Sequence, residues 1–196
     1  MKKVYDLYSD GWREDFRYAY GPQARSEEQF VLRTEDGALT NDYSTEAHDY
    51  SYICALSKKK YTGKIKLTLT CSFKRSGAPL IVFTNDLTKR ESGAIGLNMH
   101  FEVVAYRGGC NGWRVIPFPE RTGWPVLSTK ILKEEFPIPE DEWVTVCAEI
   151  DGCDVDVEIM GRKLHFHDDN IPKEFYVGFT ACEGICRFAQ FTVEEL

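Results

Sequence analysis

The chain predicts an all-β protein, a two-sheet antiparallel β-sandwich. Three observations carry that expectation. Strand-like runs with period-2 alternation recur along the 196 residues, about twelve in number. Gly- and Asp-rich reversals separate them, as at Asp151-Gly152 and Gly161-Arg162. No helix of ordinary length is credible, since the best window, Thr129–Phe136, runs into proline. So many strands bury their apolar faces only by packing as two layers.

The stretch Trp143–Leu196 organises the rest. It reads as five strands: Trp143–Ile150, Asp154–Met160, Lys163–His167, Phe175–Ala181 and Arg187–Val193. Each carries β-branched or aromatic residues, which suit a pleated, half-buried surface. Trp143 opens the first of them and is read as a core residue. Upstream, Lys64–Phe73 alternates cleanly, with Ile65, Leu67, Leu69, Cys71 and Phe73 on one face. Pro79–Thr84 follows as a buried strand, then Asn85–Ser92 as a charged loop. Ala94–Arg107 reads as one long strand bent near Gly96, with Leu97, Met99, Phe101, Val103 and Ala105 facing together. Asn98, His100, Glu102, Val104 and Tyr106 face the other way. Gly108–Gly112 reads as a turn before Trp113–Phe118, and Ile131–Phe136 as a short strand. Nearer the start, Val4–Tyr8 reads as an edge strand, and Phe16, Tyr18 and Tyr20 share one face of an extended segment. No linker divides the chain, so a single domain over 1–196 is expected.

Bulk properties narrow the function classes. A net charge of -7 disfavours nucleic acid and anionic membrane as partners. No run of 18 apolar residues exists, so no membrane helix is expected. The start lacks the apolar core of a signal peptide, which makes a cytoplasmic location the expectation, a trimmed secreted form being the alternative. The odd count of seven cysteines suits free thiols acting as small hydrophobes. Cys182 and Cys186 have C-x3-C spacing and could recruit His165 and His167 for zinc, or simply flank a hairpin. No cofactor is expected.

The closing strands carry a resemblance. Glu142-Trp143-Val144-Thr145-Val146, then Asp154–Leu164 with its Gly161 reversal, then Phe175-Tyr176-Val177-Gly178-Phe179, and finally Phe188–Val193 resemble the concanavalin A-like lectin/glucanase superfamily. The resemblance implies a jelly roll of two curved sheets. It also implies an oligosaccharide or polysaccharide as partner, held in the groove of the concave sheet, and it allows a homodimer. A rim calcium in such a fold would draw on Asp168, Asp169 and Asn170, which a hydrophilic turn explains equally well.

Two constellations could carry chemistry. Asp154, Asp156 and Glu158 lie on one face of a strand. Their spacing is similar to the E-x-D-x-E motif of laminarinase-like glycosidases, with Asp in place of the first Glu. The match would make Asp154 the nucleophile, Asp156 the tuning carboxylate and Glu158 the acid/base, as hydrolysis by paired carboxylates requires. A solvated outer face is the plainer reading. The second constellation is His100, Glu102 and Tyr106, with Asn98, Trp113 and Arg114 nearby and Trp124 as a rim residue. It mixes aromatic platforms with planar polar groups, which suits a sugar's apolar faces and hydroxyl edge. His100 beside Glu102 could also form an acid–base pair, or an internal hydrogen-bond network. Three functions stay open: carbohydrate binding, glycoside hydrolysis, and a structural or protein-interaction module. The second constellation is the stronger candidate for lining a site.

Overall fold

Side chains alternate across a strand, so the apolar residues of each run decide which side faces the partner layer. The computed structural model describes residues 1–21, 31–42, 52–117 and 126–196. Among these residues the chain forms two sheets, antiparallel throughout but for one short pair, stacked as a jelly-roll sandwich. The expected all-β class therefore holds.

The first sheet runs in the order β16 (Arg162–His167), β15 (Asp154–Ile159), β14 (Val144–Asp151), β7 (Ile65–Lys74), β18 (Ile185–Glu195), β4 (Ala38–Thr40) and β3 (Arg33–Glu35). A further strand, β1 (Lys2–Asp6), also pairs with β18. The second sheet runs β13 (Val126–Glu135), β12 (Gly109–Pro117), β11 (His100–Tyr106), β8 (Pro79–Thr84), β17 (Glu174–Ala181), β5 (Ile53–Ser57), β2 (Phe16–Tyr20), β10 (Ile95–Leu97) and β9 (Leu87–Lys89). A two-residue strand, β6 (Tyr61–Thr62), adds to the start of β17. One 3-10 turn, Asp10–Glu14, places the buried Trp12 against the aromatic core.

The hairpins at the edge of the first sheet follow from their turn residues. Ile159 pairs with Arg162, and Met160 and Gly161 between them both have positive φ, 51° and 74°. That is the signature of a type I′ turn, whose twist matches the flanking strands.

Between the sheets lies a core dominated by aromatic rings. Phe179 of β17 sits 5.0 Å from Phe188 and 5.3 Å from Phe191, centroid to centroid, both on β18 of the opposite sheet. Phe16 and Trp12 close on the same ring from 6.1 Å. Phe83 and Phe101 stack at 5.1 Å. The second sheet is also apolar on its outward face, where Ala19, Tyr52, Cys54, Leu56, Leu80, Val82, Leu97 and Val104 form a second buried cluster. This double burial fits the continuous apolar run of Pro79–Thr84, buried at every position.

The structure corrects several sequence expectations. The proposed long strand Ala94–Arg107 is two strands, β10 and β11, interrupted at Asn98-Met99. The Asp86 carboxylate accepts there from Asn98 Nδ2 at 2.9 Å and from the Met99 amide at 3.3 Å. The break shifts the alternation: Leu97 joins the outward cluster, whereas Phe101, Val103 and Ala105 face the inter-sheet core. The charged loop Asn85–Ser92 contains strand β9. The strand read as Ile131–Phe136 begins five residues earlier, at Val126. The turn read at Gly108–Gly112 is mostly strand, since β12 starts at Gly109. Trp143 is 45% exposed rather than core. Val144, Val146, Ala148 and Ile150 face inward, so the residue before Val144 faces out.

Truncating the central ring should be costly. Phe179→Ala removes a fully buried side chain that touches both sheets, and urea unfolding should show a loss of about 3–5 kcal/mol.

Candidate functional site

Among the described residues, a cavity of about 540 Å³ lies on the outward face of the second sheet. Its walls include Tyr52, Leu80, Glu102, Tyr106, Asn111 and Trp113. Register explains the set. Glu102 stands opposite Trp113, and Val104 opposite Asn111, in the β11–β12 pair. Tyr106 follows two residues on, so all five share one face. The interior face of the same strand is taken by Phe101, Val103 and Ala105.

Glu102 is only 6% exposed, and His100 is fully buried. A carboxylate so placed needs partners. The Tyr52 hydroxyl donates a short hydrogen bond to Glu102 Oε1. His100 Nε2 lies 3.0 Å from the same oxygen and 2.8 Å from the Tyr52 hydroxyl. The far side of the imidazole is fixed as well, with Nδ1 donating to the Asn98 carbonyl at 2.7 Å. Asn98 is in turn held by Asp86. Burial, then the neighbouring Glu102 charge, raises the Tyr52 hydroxyl well above the ordinary tyrosine value, so it remains a donor. The same two causes raise the Cys182 thiol, which also borders the cavity. Cys54 is pushed up to about 12, chiefly by burial. Neither thiol is a nucleophile in this setting.

Of the residues expected to line a site, Glu102, Tyr106 and Trp113 border the cavity together. His100 and Asn98 sit behind Glu102 and orient it. Arg114 turns the other way. It stands opposite the inward-facing Phe101, and its Nη1 donates to both Asp168 oxygens at 2.7 and 2.8 Å. Adjacent residues of a strand cannot line the same face, so Trp113 and Arg114 could not both belong. Trp124 lies outside the described residues. Lys130 places its ammonium 4.6 Å from the Trp113 ring centroid, on one face of the indole.

The acidic strand is elsewhere. Asp154, Asp156 and Glu158 lie on β15 of the first sheet, on the side away from the core, since Val155, Val157 and Ile159 face inward. A full sandwich thickness, about 10 Å between sheets, separates this face from Glu102. The carboxylates face the neighbouring edge strand. Asp154 accepts from His167 Nδ1 at 2.9 Å, Asp156 lies 3.0 Å from His165 Nδ1, and Glu158 stands opposite Lys163. His165 and His167 are four strand positions from the strand carrying Cys186, about 19 Å at ordinary spacing. No zinc site assembles from these four residues. Among the described residues no cluster of three or more His, Cys, Asp or Glu is placed to hold a metal. Asp168 is occupied by Arg114 and the Asn170 amides, whereas Asp169 is bonded to His167, so the three oxygens proposed for calcium do not converge. All seven cysteines are unpaired.

Sequence reasoning missed Tyr52 and Asn111. Tyr52 reaches Glu102 across 50 residues of chain, which no local pattern signals. Asn111 sat in a run of glycines read as a turn.

No family model matches the chain, and no curated protein does. Solved structures do match it. A protein of unknown function with a galectin-like fold from Bacillus subtilis aligns with a TM-score of 0.64 at 16% identity, over 99% of this chain and 98% of that one. LamA of Z. galactanivorans, solved with laminaritriose and laminaritetraose, aligns at 0.56 and 12% identity, over 100% and 98%. The carbohydrate-binding module CBM66 from Bacillus subtilis aligns at 0.56 and 13% identity, over 75% and 83%. The chain thus has the β-sandwich fold that carbohydrate-binding modules and glycosyl hydrolases share.

Hydrogen bonds to Asp154 and then Asp169 raise His167 above the ordinary histidine value. Its contribution to stability is therefore full below the unfolded pKa near 6.5 and is lost as pH rises through the higher folded value. NMR titration should place the His167 midpoint above that of an unstructured histidine, and Asp154→Asn should bring it down.

Proposed function

We propose that the chain binds carbohydrate in the cavity on the outward face of the second sheet. The carrying observation is the company kept there. Trp113 and Tyr106 stand beside a buried, pre-oriented Glu102 in a cavity of about 540 Å³. A sugar ring needs both an aromatic or aliphatic surface for its C–H face and fixed polar groups for its hydroxyls. Leu80 and Val104 extend the apolar part. Glu102 is immobilised by Tyr52 and His100 before any ligand arrives, which lowers the ordering cost of binding. The fold supports the same reading, because its structural relatives include a carbohydrate-binding module and LamA solved with two oligosaccharides.

Hydrolysis by paired carboxylates has less support. The acidic triplet of β15 is on the opposite sheet. Glu183 is the other carboxylate bordering the cavity among the described residues, and it is solvent-exposed. A binding role uses Glu102 as it stands.

Isothermal titration with a panel of plant and bacterial oligosaccharides tests the proposal. Saturable binding by at least one is expected. Trp113→Ala should weaken it at least tenfold, about 1.4 kcal/mol, while leaving the far-ultraviolet spectrum unchanged. Failure of every sugar to bind would overturn the reading.

A further inference from the structure

Three energetically unfavourable features meet in this one cavity. The first is Tyr52, whose φ is +37° although it is a bulky residue and not glycine. That backbone region is strained for such a side chain and tends to occur where function holds it. The second is Glu102, a carboxylate only 6% exposed. One of its oxygens is held by Tyr52 and His100, and the other has no partner among the described residues. The third is Asn111, 8% exposed, whose buried Oδ1 atom has no hydrogen-bond partner among the described residues. A buried polar atom without a partner is uncommon in native proteins and destabilises them. Valine at this strand position would remove the penalty and has the better strand propensity. Strain, buried charge and an unsatisfied amide could each arise singly by chance. Their convergence on one wall of one cavity points to a ligand.

The chemistry of that wall also restricts the ligand. Glu102 and Asn111 are diagonal neighbours across the β11–β12 pair, because Glu102 faces Trp113 and Val104 faces Asn111. Diagonal positions lie about 7–8 Å apart, within reach of the hydroxyls of one pyranose ring. The outer Glu102 oxygen can only accept a hydrogen bond when the carboxylate is ionised, and the amide can accept and donate. A hydroxyl satisfies both. A carboxylate or sulfate set against the Glu102 oxygen offers no donor and would meet it lone pair to lone pair, so the cations at the cavity, Arg107 in its lining and Lys130 on the Trp113 face, serve an anion only away from this wall.

We propose that this wall is a subsite for a single uncharged sugar ring, whose hydroxyls pair with Glu102 and Asn111 while Trp113 and Tyr106 flank the ring. The proposal rests on the carbohydrate-binding reading and extends it to the class of sugar. Asn111 is then retained at the expense of stability.

Titration calorimetry on the full chain tests this with cello-, laminari-, manno- and xylo-oligosaccharides as neutral probes. Oligogalacturonate and a sulfated galactan oligosaccharide serve as anionic probes. At least one neutral probe should bind at least tenfold more tightly than either anionic one. Glu102→Gln, which supplies a donor, should reduce that ratio severalfold. Asn111→Val should raise Tm and weaken the neutral probe at least tenfold. This pairing of gains and losses distinguishes a ligand contact from a structural one. An anionic probe bound as tightly as the best neutral one would overturn the proposal. So would Asn111→Val binding with wild-type affinity, or melting below the wild type. In either of those cases, with wild-type binding intact, the cavity reading stands and only the subsite fails. If no probe of either kind binds, both fail together. Should Glu102→Gln not fold, the Asn111→Val result decides.

Discussion

The packing of Phe101, Val103 and Ala105 into the aromatic core is the constraint on which the site depends. A strand has a strict period of two, so burying these three fixes Glu102, Val104 and Tyr106 on the opposite side. A slip of one residue would put Glu102 in the inter-sheet core beside Phe83, where no ionised carboxylate is sustainable. The large energetic term, apolar burial between the sheets, therefore sets the register. The small polar network inherits its position. The ladder from β11 to β12 passes that register on, which is why Trp113 and Asn111 complete the cavity wall and Arg114 does not.

The second sheet differs from an ordinary antiparallel layer in being apolar on both faces along its middle strands. Its outward cluster runs from Ala19 and Cys54 through Leu80 and Val82 to Val104. That surface gives the cavity an apolar floor, and a hydrogen bond made to Glu102 beside it is stronger than the same bond at an open polar surface because the local dielectric is lower. The first sheet has the opposite character. Its outward face carries Lys64, Asp154, Asp156, Glu158 and the two histidines of β16 in cross-strand pairs. Such pairs contribute solubility and little stability. The acidic triplet is this ordinary kind of surface.

Most of the fold was legible in the residues, because alternation and turn chemistry are local. Ile65 to Phe73, a reversal at Gly161 and the closing strands needed no partner to be recognised, although that reversal, read as Gly161-Arg162, falls one residue earlier, at Met160-Gly161. Two errors came from not carrying the same rule far enough. The inward phase of Val144 already turned Trp143 outward, and the outward phase of Trp113 already turned Arg114 inward. Other features lay beyond any local rule. Tyr52 enters through a contact spanning 50 residues. The interruption at Asn98-Met99 depends on Asp86 folding back from the preceding loop. Asn111 was obscured by glycines that permit a turn but here lie within a strand.

That interruption also has a mechanical meaning. Asp86 lies outside the cavity, yet it grips Asn98, and the Asn98 carbonyl receives the His100 ring proton that sets the imidazole behind Glu102. Three successive hydrogen bonds thus join a loop between β8 and β9 to the polar wall of the cavity. Changes in that loop can rotate the imidazole and re-aim the carboxylate with every lining residue left in place. Under the proposed binding role, ligand preference can therefore be altered at a position that lines no part of the cavity.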